Sequence, residues 1–312
     1  MLNTFFNSVS SVTVILLMAA AGYFFGKKKW ILAENKPFLE KYLMNFAIPC
    51  MCMDGFVNNL TQELIMSSWR IIIVCFSGFC LSTLSAAAIA LLLRLPKKRA
   101  GVFVGMGGFS NALFVGYPMC RELFGDGSLV YVMLFFLSNS ILIYVLCYTA
   151  FTYFSETKTK IGSKQLRRIF INPPVLGAVA GIFAVMFGIT LPRPIGSFIG
   201  YITNTVSPLA LFYCGFIIYE TGIKNIRFDR GMAALPVMRF VIAPLICAAM
   251  CRILNVNPPA SSVLIIEMSM PVVTIMVVMA KEWDADVQYA AIGIVLTTIA
   301  CFVTVPVIML FL

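Results

Sequence analysis

Histidine is absent from the 312-residue sequence, and charged residues of either sign make up only 12% of it. The lack of histidine excludes His-based proton relays, His–metal sites and Ser–His nucleophiles. The ten cysteines are scattered through apolar stretches, and no pair has zinc-binding spacing together with partner histidines. We therefore interpret the cysteines as small apolar side chains and expect no metal or organic cofactor.

The scarcity of charge accompanies a hydrophobic content of 61%, compared with about 45–50% in ordinary soluble domains. A water-soluble fold of this length cannot hide so much apolar surface, whereas a lipid bilayer accommodates it. We therefore predict an all-α integral membrane protein. The formal net charge of +10 is typical of basic cytoplasmic loops, and no nucleic-acid partner is expected.

Apolar stretches of spanning length, bounded by charged or turn residues, predict ten transmembrane helices. They cover residues 5–26, 38–57, 69–93, 100–121, 128–154, 173–191, 196–219, 231–254, 260–281 and 287–311. The loops after the odd-numbered stretches contain most of the 23 lysine and arginine residues. Because such loops stay in the cytoplasm, we predict a multi-pass protein of the cell inner (plasma) membrane with both termini extracytoplasmic.

The two halves of the chain share a residue pattern at an offset of about 159 positions. The matched pairs are Asn45 with Asn204, Pro49 with Pro208 and Glu122 with Glu282. This pattern predicts two five-helix repeats, at residues 1–154 and 172–312, joined by a cytoplasmic linker at 155–171. Because each repeat has an odd number of spans, the second repeat begins on the opposite side of the membrane and is inverted relative to the first. Inverted repeats are typical of secondary transporters.

The fourth and ninth stretches contain helix-breaking residues at corresponding positions. The fourth reads GMGGFSNALFVGYPM and includes Gly108, Asn111, Gly116 and Pro118, while the ninth contains Pro271. The offset between the repeats places Pro271 opposite Asn111. We predict that these two helices break and cross near the membrane midplane, with half-helix N-termini directed at an anion. Close packing at the glycines and simple kinks at the prolines are the alternative interpretation.

Two ionisable residues and two asparagines inside the apolar stretches are further candidates for the substrate site or the coupling-ion site. An intramembrane charge costs about 2.5–3.5 kcal/mol at the bilayer centre on insertion scales. Glu267 is interpreted as a ligand for a coupling cation or proton, or as a hydrogen-bonded structural carboxylate. Arg239 either attracts an anionic substrate or extends toward the cytoplasmic surface. Asn45 and Asn204 lie at the paired kinks and suit the lining of a cavity from both repeats.

Three motifs resemble elements of the auxin efflux carrier family. The run Asn111-Ala-Leu-Phe-Val-Gly116-Tyr-Pro118 is similar to its Asn-x4-Gly-x-Pro element. Asn172-Pro173-Pro174 resembles the Asn-Pro-Pro sequence that opens its second half, and Met270-Pro271 resembles its Met-Pro crossing helix. The resemblance covers the whole chain. It implies a fold related to bile acid–sodium symporters, with a scaffold of helices 1, 2, 6 and 7 and a mobile unit of helices 3–5 and 8–10.

Two departures from plant members bear on the substrate. The linker at 155–171 is short, and the second stretch lacks the Asp-Pro-Tyr pattern associated with auxin. The compact chain resembles prokaryotic members linked to malate or malonate. The resemblance therefore implies alternating-access transport of a small mono- or dicarboxylate, with Na⁺, H⁺ or neither as coupling ion, in a lipid bilayer and in a form compatible with a homodimer.

The candidate site residues and the alternatives follow from these interpretations. The substrate-binding candidates are Asn111, Gly108, Gly116, Pro118, Pro271, Asn45, Asn204 and Arg239, and the coupling-ion candidate is Glu267. One alternative function is efflux of an auxin-like aromatic carboxylate. A channel or sensor, and an intramembrane aspartyl protease built on Asp54 and Asp126, are others. Asp126 lies in a polar turn outside the apolar stretch, which disfavours the protease.

Overall fold

A computed structural model describes residues 2–154, 171–222 and 229–312. Most of the linker predicted at 155–171 lies outside these ranges. Within them, every regular element is helical. The α-helices are α1 (Leu2–Lys27), α2 (Lys36–Tyr42), α3 (Ile48–Asn59), α4 (Gln62–Leu92), α5 (Lys97–Gly108), α6 (Tyr117–Phe124), α7 (Leu129–Leu142), α8 (Tyr148–Phe154), α9 (Pro173–Met186), α10 (Arg193–Thr221), α11 (Arg230–Val237), α12 (Ala243–Ile253), α13 (Ala260–Met268), α14 (Met276–Glu282) and α15 (Val287–Ile308).

Short π-helical turns join several of these helices into longer rods. They span Leu43–Ala47, Ala112–Gly116, Ile143–Cys147 and Met238–Ile242. Each turn continues directly into the α-helix that follows it, so that residues 112–124, for example, form one continuous helical segment. π-turns are often found at functional sites, and two of these lie beside helix breaks described below.

Six helical stretches in the described part of the chain are long and apolar enough to cross a membrane. They are Val9–Lys27, Ser68–Leu92, Asp126–Phe154, Arg193–Thr221, Arg230–Ile253 and Val287–Ile308. Large apolar side chains on them, such as Leu17, Leu84 and Val303, are more than half exposed. Such outward-facing apolar side chains suit contact with lipid. Because several helices are long and apolar enough to cross a membrane, the chain is a multi-pass membrane protein.

The other four predicted stretches are helical but do not form long uninterrupted apolar helices. The second, predicted at 38–57, corresponds to α2 and α3 and carries several charges, and the sixth forms the fourteen-residue helix α9. The fourth stretch is interrupted after Gly108 and the ninth after Met268. Length and composition therefore select six of the ten predicted stretches, because the remaining four are charged, short or broken.

Close backbone contacts join α1 to α10 and α3 to α9. Glycine makes both contacts possible. A methyl group at Gly215 would overlap the carbonyl of Ala19, and one at Gly177 would overlap the carbonyl of Pro49. Small residues let membrane helices approach so closely that van der Waals packing holds them together. The helices α1, α3, α9 and α10 correspond to predicted helices 1, 2, 6 and 7. These contacts therefore join helix 1 to helix 7 and helix 2 to helix 6.

An ionic cluster ties together the beginnings of three other helices. Arg99, in the first turn of α5, contacts Asp229 and Asp286, each with a nitrogen–oxygen distance of 2.8 Å. The same two carboxylates accept the N–H groups of Met232 and Tyr289 and thereby cap α11 and α15. The hydrogen bond with Asp286 is the main cause of a raised pKa of Arg99, so the guanidinium stays charged. The starts of α5, α11 and α15 are thus held at one point.

The close contact between α1 and α10 generates a stability prediction. Replacing Gly215 by alanine should lower the free energy of unfolding by about 1–3 kcal/mol, because the added methyl group forces the two backbones apart. Thermal unfolding in detergent, followed with a thiol-reactive dye, measures this because most of the ten cysteines are buried. Gly196→Ala on the same helix, where a methyl group meets open space, is the matched control. Equal melting temperatures for both variants would contradict the contact.

Candidate functional site

The two broken helices meet at their interruptions. The backbone N–H of Asn111 donates a hydrogen bond to the carbonyl of Pro271, with a nitrogen–oxygen distance of 2.8 Å. Next to it, Ser110 pairs with Val272 as an isolated antiparallel bridge. The offset between the halves of the sequence placed Pro271 opposite Asn111, and this hydrogen bond joins the same two residues. The extended segments between the half-helices therefore lie against each other.

Local sequence explains why each helix stops where it does. After α5 ends at Gly108, Asn111 begins the next helical segment by capping it, since its side-chain oxygen accepts the N–H of Phe114. Asparagine is among the preferred residues for this position. In the ninth stretch, Pro271 has no N–H to donate and follows the end of α13 by three residues. Both breaks leave carbonyl groups at the C-terminal ends of α5 and α13 without helical partners.

Arg239, on a third helix, donates hydrogen bonds to carbonyl groups at these helix ends. Its guanidinium donates to the carbonyl oxygens of Met268 at 2.8 Å, Met270 at 2.7 and 3.1 Å, and Gly107 at 3.2 Å. The side chain is fully buried. A cation at the C-terminal end of a helix is favourable, because the last carbonyls carry partial negative charge. One guanidinium thus caps the ends of α5 and α13 at the same time.

This position bears on the two roles considered for Arg239 in the sequence, attraction of an anion and extension to the cytoplasmic surface. The fully buried side chain does not extend to the cytoplasmic surface, so that alternative is wrong. The guanidinium also lies outside the lining of the cavity described next. Its observed contacts are with the backbone of the crossing.

A cavity of about 490 Å³ lies beside the crossing. One wall consists of residues 110–114, 273–275, 277 and 278, which lie at the N-terminal ends of both distal half-helices. The remaining wall is formed mainly by residues of α2, α7 and α10, together with Met44, Ile143, Tyr144, Asn172, Ala291 and Ile294. The uncharged polar side chains that line it are Ser110, Asn111, Asn139, Ser140, Tyr144, Asn172, Tyr213, Thr221 and Thr274. The C-terminal ends therefore contact Arg239, whereas the N-terminal ends, with their partial positive charge, border the cavity.

Three charged side chains also border this cavity. Lys36 and Glu220 form an ion pair at 2.6 Å, with about a third of each side chain exposed. Glu40 accepts a long hydrogen bond from the hydroxyl of Tyr213 at 3.5 Å. Because the Lys36 charge is paired, the cavity lining carries no unpaired cation among the described residues. Attraction of an anion must then come mainly from backbone N–H groups and amide side chains.

Glu267 lies on α13, fully buried, outside the cavity lining. Its carboxyl group packs against Gly116, where a methyl group would overlap both carboxyl oxygens. The thiol of Cys120 lies 3.5 Å from one of these oxygens, and the other has no hydrogen-bond partner among the described residues. Gly116 is thus required by the carboxyl group of Glu267 rather than by contact with a ligand.

Of the remaining predicted site residues, two lie near the crossing and two do not. Gly108 packs against Thr83, and Pro118 lies buried in the first turn of α6, so both belong to the neighbourhood of the crossing. Asn45 and Asn204 are exposed and lie outside the cavity lining. Asn204 instead accepts a hydrogen bond from Arg121 at 3.3 Å. The structure therefore does not bring these two asparagines to the crossing.

The sequence patterns did not predict Ser110, Asn139 and Tyr213 in the cavity wall. Ser110 directly precedes Asn111, and Asn139 is a polar residue within the apolar helix α7. These signals were present, but the direction of a side chain around a buried helix is not set by composition. Asp126, one of the two candidate protease aspartates, is largely exposed and pairs with Arg121 at 2.7 Å.

A bundle of membrane helices with two broken helices that meet beside a cavity is the architecture of a membrane transporter. A family model described as "Membrane transport protein" matches residues 7–309. The chain therefore belongs to this family, which is the auxin efflux carrier family that its motifs resemble.

Two archaeal relatives extend over nearly the whole chain. One, from Methanothermobacter thermautotrophicus, is 24% identical over 310 residues and covers 97% of both chains. The other, from Methanocaldococcus jannaschii, is 23% identical over 298 residues, with 92% of this chain and 93% of the relative covered. Both are described as uncharacterized transporters. The similarity supports membership of the family and leaves the substrate open.

The contacts of Arg239 generate a second prediction. Arg239→Lys keeps the positive charge but cannot reach three carbonyl groups on two helices, so at least one buried carbonyl loses its partner. We expect the free energy of unfolding to fall by about 1–3 kcal/mol, with loss of transport. Thermal unfolding and uptake measurements check this. Arg252→Lys, at an exposed position on α12, is the control. An Arg239→Lys variant with the parent's melting temperature would contradict the capping role.

Proposed function

We propose that the protein is a secondary active transporter that moves a small organic anion, a mono- or dicarboxylate such as malate or malonate, by alternating access. The observation that carries this proposal is the cavity beside the crossing, where an asparagine-capped helix N-terminus forms part of the wall. In this proposal ten helices form two inverted five-helix repeats. Helices 1, 2, 6 and 7 act as the scaffold, and helices 3–5 and 8–10 move.

The carboxylate of the substrate would bind at the beginning of the helical segment 112–124. The first N–H groups of a helix have no intrahelical partners and point toward a ligand. Asn111 occupies the capping position there and lines the cavity. Arg239 adds a fixed positive charge behind the crossing without contacting the substrate. This arrangement favours an anion although Lys36 is already paired with Glu220.

Glu267 is the proposed coupling site, and its surroundings suit a proton better than Na⁺. Hard cations require several oxygen ligands around them. The contacts described for the Glu267 carboxyl group are a thiol and a glycine. An ionised carboxylate in such a place is costly, whereas a protonated one is tolerated. Proton binding at Glu267 would therefore stabilise the conformation seen here, and proton release would accompany the change to the other conformation.

The proposed orientation places the cavity on the cytoplasmic side. Lys36 and Glu220, which line one end of it, lie next to the loops whose lysine and arginine content predicts a cytoplasmic location. The described conformation would then be inward-facing, in a protein of the cell inner membrane with extracytoplasmic termini. A homodimer remains compatible with the scaffold arrangement.

A second candidate substrate class is favoured by the aromatic part of the lining. Phe114, Phe136, Tyr144 and Tyr213 border the cavity, and aromatic side chains provide large apolar surfaces that pack against a planar ring. An aromatic carboxylate such as an auxin would use them. A small aliphatic carboxylate would leave this surface in contact with water, so the two classes can be distinguished by competition.

Uptake into proteoliposomes tests the proposed function. Labelled malonate, malate, succinate and indole-3-acetate would be compared, each with imposed Na⁺ or pH gradients of either direction. Saturable uptake of an aliphatic carboxylate that depends on the pH gradient is the expected result. Saturable uptake of indole-3-acetate alone would favour the aromatic class. Ion current without saturable flux would identify a channel and contradict the proposal.

Asn111→Ala should abolish or strongly reduce uptake, because it removes the cap and one polar group of the cavity wall. Loss of an N-cap costs about 0.5–2 kcal/mol, which leaves the protein inserted and folded. Reconstituted amounts and melting temperature would be measured in parallel. Asn58→Ala, at an exposed position outside the cavity, is the control. Unchanged uptake kinetics in Asn111→Ala would refute the assigned site.

Glu267→Gln should separate substrate movement from the pH gradient. Glutamine keeps the size of the protonated side chain but cannot release a proton. We expect exchange of substrate across the membrane to persist while accumulation driven by the pH gradient is lost. Accumulation that responds to the gradient as in the parent protein would remove Glu267 from the coupling mechanism.

A further inference from the structure

Three consecutive lysines follow the first membrane-spanning stretch. That stretch ends at Lys27, and Lys28 and Lys29 form the turn after it. All three side chains are exposed, and none forms an ion pair with a described residue, although Glu34 follows shortly afterwards in the chain. Because a spanning helix ends at the membrane surface, the three charges lie at the depth of the lipid headgroups.

Large apolar side chains are exposed in the same connection between α1 and α2. Trp30 is 65%, Leu32 47% and Phe38 70% exposed. The ring of Trp30 packs edge-on against Phe24 and Phe25, with centroid distances of 6.0 and 4.9 Å, and is thereby held at the end of α1. Tryptophan is enriched where a membrane meets water, and lysines beside exposed aromatic and leucine side chains are typical of segments that lie in this interface.

A second basic loop, at residues 94–99, differs in how its charges are paired. Lys98 pairs with Asp284 at 2.9 Å, and Arg99 belongs to the ionic cluster described above. Protein carboxylates therefore neutralise part of the charge of that loop, whereas Lys27, Lys28 and Lys29 have no such partners among the described residues. A lysine at the C-terminal end of a helix also stabilises the helix dipole, but this does not account for the exposed aromatic side chains that follow.

The combination of charge and apolar surface restricts the partner. A dissolved anion would neutralise the lysines but leave Trp30, Leu32 and Phe38 in contact with water. A phospholipid with an anionic headgroup satisfies both, because its phosphate accepts hydrogen bonds from the ammonium groups while its chains and those of its neighbours cover the apolar side chains.

We propose that Lys27, Lys28 and Lys29 form a binding site for the headgroup of an anionic phospholipid in the cytoplasmic leaflet, with Trp30 and Phe38 inserted among the lipids around it. The three lysines lie outside the lining of the transport cavity. The site is therefore independent of the substrate and of the transport mechanism proposed above.

Native mass spectrometry of the full chain in detergent tests this site. Phosphatidylglycerol and phosphatidylcholine with identical acyl chains are titrated separately, and the dissociation constant of the first bound lipid is measured for each. Phosphatidylglycerol should bind on the order of tenfold more tightly, because each basic residue near an anionic headgroup strengthens its binding. Inorganic phosphate at millimolar concentration should not displace it.

Replacement of all three lysines by glutamine should bring the ratio of the two dissociation constants close to one. Replacement of all three by arginine keeps the charge and should preserve the ratio. Because the three positions are exposed, both variants should melt at the temperature of the parent protein. The matched control removes the same charge from exposed positions elsewhere in the predicted cytoplasmic face and should leave the ratio unchanged; it combines Lys97→Gln, Arg230→Gln and Lys281→Gln.

Each of the other outcomes overturns the proposal. Equal binding of the two lipids by the parent protein would show that no anionic headgroup is selected. A ratio that the glutamine variant leaves unchanged would assign the selectivity to other residues, and an equal loss in the control variant would assign it to overall charge. Displacement of phosphatidylglycerol by inorganic phosphate would identify a site for a dissolved anion. Transport is not measured, so these results stand whether or not the proposed function is correct.

Discussion

The contacts between Arg239 and the carbonyl groups of two broken helices are the interaction on which the site depends. A helix that ends inside a membrane exposes carbonyl groups where water cannot reach them, at a cost of several kcal/mol for each unsatisfied group. Two such ends meet here. The planar guanidinium has several donors in a fixed arrangement and bonds to carbonyls of both helices at once. The burial of its own charge is in turn offset by the dipoles of those carbonyls.

This capping gives the crossing two chemically different sides. The C-terminal ends of α5 and α13 lie on a permanent cation supplied by the protein. The N-terminal ends of the following segments border the cavity, where no carboxylate of the described residues accepts a hydrogen bond from them. An anionic ligand would complete this arrangement. The residues that build the crossing and the residues proposed to bind substrate are therefore separate sets, although they are adjacent in sequence.

The sequence predicted the all-helical membrane class, the interruptions near Asn111 and Pro271, and the burial of Glu267. These features depend on composition and on residues such as glycine and proline, whose backbone preferences are local. The sequence did not predict that Arg239 bonds to carbonyls, that Asn45 and Asn204 face away from the cavity, or that Asn139 faces it. Those outcomes depend on how each helix is rotated about its axis, and π-turns such as Met238–Ile242 change that rotation. Periodicity alone does not determine rotation in helices that are apolar on nearly every side.

The contact between Gly116 and Glu267 also constrains how this family can diverge. The carboxyl group occupies the volume that any side chain at position 116 would need. A relative with alanine or serine at the position of Gly116 must therefore carry a shorter residue at the position of Glu267, or separate the two half-helices. The two positions, about 150 residues apart in sequence, should vary together as a pair. Relatives that have lost the carboxylate are then free to lose the glycine.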